Sequence, residues 1–204
     1  MKDSYKKNNK SYRKKNKTYK KNYKDKSKDS KFSSLDLIDK RIIYLDGEIN
    51  STSSKDIICN LIKLDMINHK DITIYLNSTG GSVNNGLAII DVMNMIKSDV
   101  SVVCVGMCAS MACVLLACGT KGKRYMLPNS EIMIHEVSTV SMGKITEMQD
   151  KLDHATKINN KICKILSEKT NKSYSGIKKE INRKDSWINA TNALKQGFVD
   201  KILY

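Results

Sequence analysis

Several features that usually shape a protein are scarce in this 204-residue sequence. Proline occurs once, histidine three times, and no run of 18 apolar residues exists. The last absence excludes a membrane-spanning helix, and the N-terminus lacks the apolar core of a secretory signal. The six cysteines form no CxxC pair. We therefore expect buried, reduced thiols in a reducing compartment, with neither disulfides nor a metal site.

Negative charge is also scarce in residues 1–32, which hold 14 Lys or Arg against 3 Asp and so carry +11 of the formal +15. Such a segment cannot bury enough apolar surface to fold, and we expect a disordered extension followed by one domain at 33–204. The tyrosines interleaved with the lysines can stack on single-stranded bases, so nucleic-acid binding stays an alternative. We favour a solvated arm and do not expect nucleic acid or a membrane as a partner.

Apolar patterns predict alternating strands and helices from residue 41 onward. The predicted strands cover 41–45, 72–77, 100–106, 131–135 and 198–203. The predicted helices cover 53–67 with Ser53 or Ser54 as N-cap, 82–97 with Ser82 as N-cap, a segment containing Ser110, 145–170 and 190–196. Continuously apolar strands that alternate with helices indicate a parallel sheet covered on both faces. The sequence therefore predicts an α/β fold.

Two predicted strand-to-helix junctions have residues suited to chemistry. Gly80 and Gly81 let the backbone approach a ligand closely, where the free N–H groups of a helix N-terminus can hold a phosphate or an oxyanion. The GGS triplet at residues 80–82 is not a nucleotide-binding fingerprint, so a tight structural turn is the alternative. Ser110 stands in the apolar run "GMCASMACVLLAC", at a helix start where the Met111 N–H is free. It is either a nucleophile or a small residue bonded to its own backbone.

A nucleophilic serine needs a base and an orienting acid. His135 ends an apolar strand, at the sheet edge where α/β proteins place their ligands, whereas His69 and His154 lie in polar surroundings. His135 is therefore the one strong candidate for the base. The residues alone leave the acid open among Asp150, Asp153, Asp185 and Asp200.

Five segments carry a family resemblance, and they follow one another in order with matching spacing. They are "RIIYLDGEI", "IYLNSTGGSVNNGLAIID", "IKSDVSVVCVGMCASMA", "GTKGKRYMLPNSEIMIH" and "NALKQGFVDKIL". Together they resemble the proteolytic subunit family of the Clp protease, from about residue 37 to 203. The resemblance implies the Clp protease and crotonase-like fold, a parallel sheet with flanking helices and a protruding handle made of a helix and a strand.

The same resemblance implies a catalytic triad and an oxyanion hole. Its nucleophile falls on Ser110, its base on His135 and its acid on Asp185, while the backbone N–H groups of Gly81 and Met111 form the oxyanion hole. The implied activity is that of a serine endopeptidase that cleaves unfolded proteins. No metal or organic cofactor is implied, because ATP is used by the partner unfoldase and not by this chain.

The implied assembly is two stacked heptameric rings, fed by an AAA+ unfoldase, either homomeric or mixed with paralogous subunits. Two alternatives are a non-catalytic subunit of a mixed ring and a crotonase-like acyl-CoA enzyme. Heavy use of Lys, Asn and Ile suggests an AT-rich genome, from which we expect the plastid stroma, with a bacterial cytoplasm as the alternative.

Two departures from the family pattern bear on that assembly. After the base the family has Gln-Pro and a Gly-rich turn, whereas this chain has "EVSTVSMG" at 136–143 in the handle strand. Just before the acid the family often has an acidic residue and Arg, which contact the opposite ring, whereas here stand Arg183 and Lys184. We expect both changes to weaken ring stacking.

Overall fold

A seven-stranded sheet organises residues 34–204, the part of the chain that the computed structural model describes. The strands are β1 Ile42–Ile49, β2 Ile72–Gly81, β3 Val100–Ala109, β4 Arg124–Met126, β5 Glu131–Ile134, β6 Ser186–Asn189 and β7 Lys201–Ile202. The helices are α1 Ser34–Asp39, α2 Ser51–Ile67, α3 Val83–Met95, α4 Met111–Ala117, α5 Ile145–Lys169, α6 Tyr174–Ile181 and α7 Ala190–Lys195. The expected disordered extension, residues 1–32, lies outside the described residues.

The sheet is mostly parallel, as the sequence predicts. Its main path runs β1-β2-β3-β4-β7, with each neighbouring pair parallel. Strand β3 pairs with β4 through residues 102–104 and then with β5 through residues 107–109, so the sheet forks along β3. Gly106 lies between the two pairings with a φ of 74°. Beyond the fork, β6 adds to β5 in the antiparallel sense.

The helix starts show one correct and one wrong prediction. Ser82 caps α3 as expected, since its side chain accepts a hydrogen bond from the Asn85 N–H. The predicted cap at Ser53 or Ser54 is wrong, because Asn50 caps α2 instead. The Asn50 side chain accepts from Thr52 N and Ser53 N, and the Ser53 hydroxyl accepts from Asn50 N. This reciprocal box satisfies free N–H groups that a cap three or four residues later would leave outside the helix.

Several short elements have no counterpart among the predicted ones. Strands β4 and β6, helix α6 and the short helix α1 each span eight residues or fewer. Such lengths contain too few periodic positions to indicate a strand or a helix, and pairing with distant segments stabilises them instead. The final strand is also shorter than predicted, because only Lys201–Ile202 pairs with β4.

The core is formed on both faces of the sheet, and α4 lies deepest within it. All seven residues of α4 are buried. Five cysteines are buried free thiols, as expected, but Cys59 is exposed on α2. Burial raises the pKa of Cys108, Cys113 and Cys163, and raises that of Cys118 to about 11. These thiols are therefore protonated and poor nucleophiles at neutral pH.

The handle predicted from the family resemblance is represented by residues 135–169. Residues 135–144 form no strand, since no other described segment offers them a hydrogen-bonding backbone. Helix α5 follows, and its first ten residues, 145–154, are all exposed. Only Ile162, Cys163 and Leu166 of α5 are buried. Among residues 34–204 no helix is both long and apolar enough to cross a lipid bilayer.

A buried ion pair joins β4 to the residue before β7 and to the ends of α4 and α5. Arg124 is fully buried in β4 and donates to both carboxylate oxygens of Asp200, at 2.8 and 2.5 Å. Its remaining nitrogen donates to the carbonyl groups of Ala117 and Lys169, at the ends of α4 and α5. Burial by itself would raise the pKa of Asp200, but the hydrogen bonds and charge of Arg124 outweigh it and lower the pKa to about 2.

We expect Asp200→Asn to lower the free energy of unfolding at pH 7 by about 3 kcal/mol, because it leaves the buried Arg124 without a counter-charge. A lowered pKa in the folded state means that the carboxylate stabilises the fold above its unfolded pKa of about 4, and that this contribution is lost as pH falls toward 2. Urea unfolding of both proteins between pH 7 and pH 3 should show the difference shrinking below about pH 4.

Asp71→Asn is the matched control. Asp71 also contacts a cation, Lys123, but its side chain is 56% exposed. Exposed pairs contribute at most about 1 kcal/mol, so this variant should unfold close to wild type. Equal losses in the two variants would show that the Arg124 pair has no special role.

Candidate active site

Ser110 lies at the sharp turn between β3 and α4, in a conformation that L residues rarely adopt. Its φ is 54° and its ψ is −124°, a strained backbone that costs on the order of 1–3 kcal/mol. Ser110 N donates to the Met133 carbonyl at 2.8 Å, which ties the turn to β5. The side chain makes no capping hydrogen bond to its own helix. The alternative of a serine bonded to its own backbone is therefore wrong.

The Gly80–Gly81 turn packs directly against the serine turn. A Cβ on Gly80 would lie 2.6 Å from the Ala109 carbonyl oxygen and 2.7 Å from Ser110 Cβ. Both glycines also have positive φ, 93° and 139°. Only glycine combines a missing Cβ with easy access to positive φ. The glycine pair is therefore needed for the end of β2 to approach the end of β3.

His135 follows β5 and reaches the serine. Its Nε2 lies 2.8 Å from Ser110 Oγ, within hydrogen-bonding distance. Its Nδ1 lies 3.4 Å from Asp185 Oδ1. The antiparallel register pairs Ile134 with Ser186, so continuing it by one position places His135 opposite Asp185. The three side chains named at the sequence level thus meet in one chain of contacts.

The other candidate bases and acids lie elsewhere. His69 contacts Asp65 at 3.1 Å, and His154 is on the exposed part of α5. Asp200 is bound to Arg124, while Asp150 and Asp153 are exposed on α5. Of the four carboxylates that the residues alone left as candidates, Asp185 is therefore the one that contacts His135.

Two residues with a proposed backbone role line the same cleft as the serine. Gly81, Ser110 and Met111 all line one solvent-open cleft. The Met111 N–H stands at the first position of α4, and no acceptor for it exists among residues 34–204. A free N–H at a helix N-terminus attracts negative charge. This geometry suits the oxyanion role expected of Met111, and Gly81 lies where a second donor is expected.

The rest of the cleft is largely apolar. The side chains beside Ser110 and His135 come from α3, α4, β5 and α5, and they are Val83, Val114, Ile134, Ile162 and Leu166. Glu136, Val137 and Ser138, from the segment after β5, also line it. In the described part of the chain, His, Cys, Asp and Glu side chains form no group of three or more suited to a metal ion.

Contacts around Asp185 could not be read from the sequence. The Ser186 hydroxyl donates to Glu180 Oε1 at 2.9 Å, and Glu180 pairs with Lys172. No spacing or motif signals this chain of contacts, because its members belong to elements that the apolar pattern did not reveal.

The site has the arrangement of a nucleophile, a base and an acid, because a hydroxyl, an imidazole and a carboxylate lie in successive contact. The class of proteins with such sites includes the serine hydrolases. The sequence profile of the Clp protease family matches residues 25–204. A relative from Carsonella ruddii (strain PV), an "ATP-dependent Clp protease proteolytic subunit", is 43% identical over 168 residues, covering 82% of this chain and 86% of the relative. This chain belongs to the Clp protease family, and it is by membership a peptidase of the hydrolase class.

We expect Gly80→Ala to slow the reaction of Ser110 with a fluorophosphonate probe by about a hundredfold, since the new methyl group must push the serine turn aside by tenths of an ångström to an ångström. The measurement is the labelling rate, with circular dichroism to verify folding.

Gly122→Ala is the control for backbone strain alone. Gly122 has a φ of +86°, close to that of Gly80, but nothing lies within 4 Å of its added Cβ. It should keep the labelling rate of wild type. Similar slowing in both variants would contradict a role for the Gly80 contact.

Proposed function

We propose that this protein is a serine endopeptidase subunit that cleaves unfolded polypeptides, with Ser110, His135 and Asp185 as its catalytic triad. The observation that carries the proposal is the 2.8 Å contact between His135 Nε2 and the Ser110 hydroxyl, which makes no other hydrogen bond within residues 34–204. Membership of the Clp protease family supports peptide bonds as the target.

The proposed reaction begins with attack of Ser110 Oγ on a peptide carbonyl carbon. His135 Nε2 takes the serine proton as the bond forms and returns it to the leaving amine nitrogen when the peptide bond breaks. Asp185 keeps the imidazole oriented through its contact with Nδ1. Water then attacks the acyl-enzyme with His135 as base and regenerates the serine. No step calls for a metal or an organic cofactor.

The backbone N–H groups of Gly81 and Met111 are proposed to stabilise the tetrahedral oxyanion. In comparable enzymes, one such donor contributes about 3 kcal/mol to transition-state stabilisation. Two observations support the assignment: Met111 N–H has no acceptor among the described residues, and both Gly81 and Met111 line the cleft beside Ser110. Neither donor depends on a side chain, so both are held by the packing of the two turns.

The cleft favours an apolar substrate side chain next to the scissile bond. Much of its wall is formed by aliphatic side chains from three helices and β5. A charged side chain placed there would lose its hydration without gaining a partner. Unfolded proteins expose apolar side chains, so this wall agrees with unfolded chains as substrates.

We also propose that the subunit works inside stacked heptameric rings with an ATP-dependent AAA+ unfoldase. The relative's description names an ATP-dependent Clp protease. Within residues 34–204, the handle exposes Val140, Met142, Ile145 and Leu152, which are 91, 83, 82 and 54% exposed. A soluble chain rarely leaves so many neighbouring apolar side chains in water, and ring contacts would cover them.

A non-catalytic role in a mixed ring is the second candidate, because the handle sequence departs from the family pattern at 136–143. The filled and connected triad positions argue for the catalytic role. The compartment stays a prediction from composition, the plastid stroma or a bacterial cytoplasm.

The catalytic proposal predicts that a fluorophosphonate probe labels Ser110, as located by mass spectrometry of peptides. Ser110→Ala and His135→Ala should abolish labelling, because the first removes the nucleophile and the second its base. Ser175→Ala, which removes an exposed hydroxyl on α6, should label like wild type. Folded, assembled wild-type protein that stays unlabelled would favour the non-catalytic subunit.

The assembly proposal predicts single rings or a salt-dependent mixture of rings in sedimentation velocity, with little peptidase activity until a partner is added. The expected cause is that Arg183 and Lys184 replace an attractive contact to the opposite ring. Met142→Lys in the handle should shift the mixture toward smaller species. Met66→Lys, at an equally exposed methionine of α2 (82%), is the comparison. A salt-insensitive, fully active double ring of wild type would overturn this prediction.

A further inference from the structure

The side chain of the acid in the candidate triad makes few contacts that could fix its position. Asp185 is 59% exposed, and its contact with His135 Nδ1 is 3.4 Å. That distance exceeds the usual range of about 2.7–3.2 Å for an N–H···O bond. Among residues 34–204 its carboxylate makes no hydrogen bond to any other group. Its position must therefore be set by the backbone that carries it.

That backbone is itself irregular. Asp185 ends the loop between α6 and β6, and the loop turns at Arg183 with a φ of 56°. A left-handed conformation costs a non-glycine residue about 1–2 kcal/mol, so the loop gains by relaxing to another shape. The next residue, Ser186, is also the last to pair with β5. The end of a strand ladder holds its neighbours less firmly than its middle.

A side-chain anchor lies at this terminal position. Ser186 Oγ donates to Glu180 Oε1 at 2.9 Å, and the Glu180 carboxylate pairs with Lys172. Lys172 Nζ also donates to Gln196 Oε1 at 2.9 Å. The side chains of Glu180 and Lys172 are only 16 and 22% exposed. The anchor thus connects α6, β6 and the end of α7.

We propose that Glu180 is a positioning residue for peptide cleavage: through Ser186 it holds the backbone of Asp185 opposite His135. The inference rests on the proposed serine peptidase function. Lys172 balances the charge of Glu180, so the anchor does not repel the Asp185 carboxylate nearby. The serine side chain is short, so a hydrogen bond to its hydroxyl restrains the backbone of Ser186 and of the adjacent Asp185.

The test compares Ser186→Ala with wild type in fluorophosphonate labelling rate and in kcat and KM for a fluorogenic peptide. Ser186→Ala should slow labelling and lower kcat by about tenfold, because displacement of a catalytic group by about 1 Å costs up to about a hundredfold. KM should stay within about twofold, since the cleft wall is untouched. Ser186→Thr keeps the hydroxyl and should restore the rate.

Two further variants separate positioning from folding. Glu180→Gln retains an acceptor for Ser186 but loses the ion pair, so its rate should lie between those of wild type and Ser186→Ala. Glu168→Gln is the matched control, because Glu168 forms an exposed pair with Lys164 at 4.0 Å. It should react like wild type. Circular dichroism and sedimentation velocity verify that each variant folds and assembles.

The decisive measurement is the double variant. If Glu180 and Ser186 act through Asp185, Ser186→Ala should cause no further slowing in an Asp185→Ala background. Equal slowing in both backgrounds would assign the loss to general destabilisation and overturn the inference. Labelled wild type with an unaffected Ser186→Ala would overturn this inference alone, whereas an unlabelled wild type would overturn the proposed function as well.

Discussion

The close approach of two strand-to-helix turns is the constraint on which the site depends. Parallel strands β2 and β3 are neighbours, with Ser78 in register with Cys108. Both strands therefore lead into their helices at the same edge of the sheet. The turns contact each other where Gly80 meets the backbone of residues 109–111. This contact brings the serine hydroxyl and two backbone N–H groups to one cleft. It also explains why the strained Ser110 conformation persists, because the surrounding packing leaves the turn no room to relax.

The candidate site has two halves of unequal rigidity. The serine and the expected oxyanion donors lie at two turns beside α4, and every residue of α4 is buried. The histidine and aspartate belong to β5, β6 and their flanking loops, at the border with the exposed handle. Asp185 is 59% exposed, whereas Met111 is 2% exposed. A reaction that needs all three side chains therefore depends most on the contacts that order the outer half.

The handle explains why that outer half is the sensitive one. Residues 135–144 lead directly from His135 into α5, and they form no strand in the single chain. A strand requires a second backbone for its hydrogen bonds, and the described residues offer none at this place. Most apolar side chains of this segment and of the start of α5 are exposed too, since no other described element packs against them. Contacts supplied by other subunits or by a substrate would thus act on the segment that carries the base.

Local patterns in the sequence determined the alternation of strands and helices, the cap at Ser82, and the location of Ser110 and His135 at the ends of apolar strands. Those features depend on residues a few positions apart. The residues by themselves left the acid open among four carboxylates, and only the family resemblance selected Asp185. In the structure that choice corresponds to the β5–β6 register, which joins residues about fifty positions apart. The Asn50 cap is also local, because its hydrogen bonds join residues two or three positions apart, so the sequence carried a signal for it. Tertiary structure alone decided the short strands β4 and β6 and the Gly80 contact. Each of these is stabilised by a partner distant in the chain, so no local spacing could reveal it.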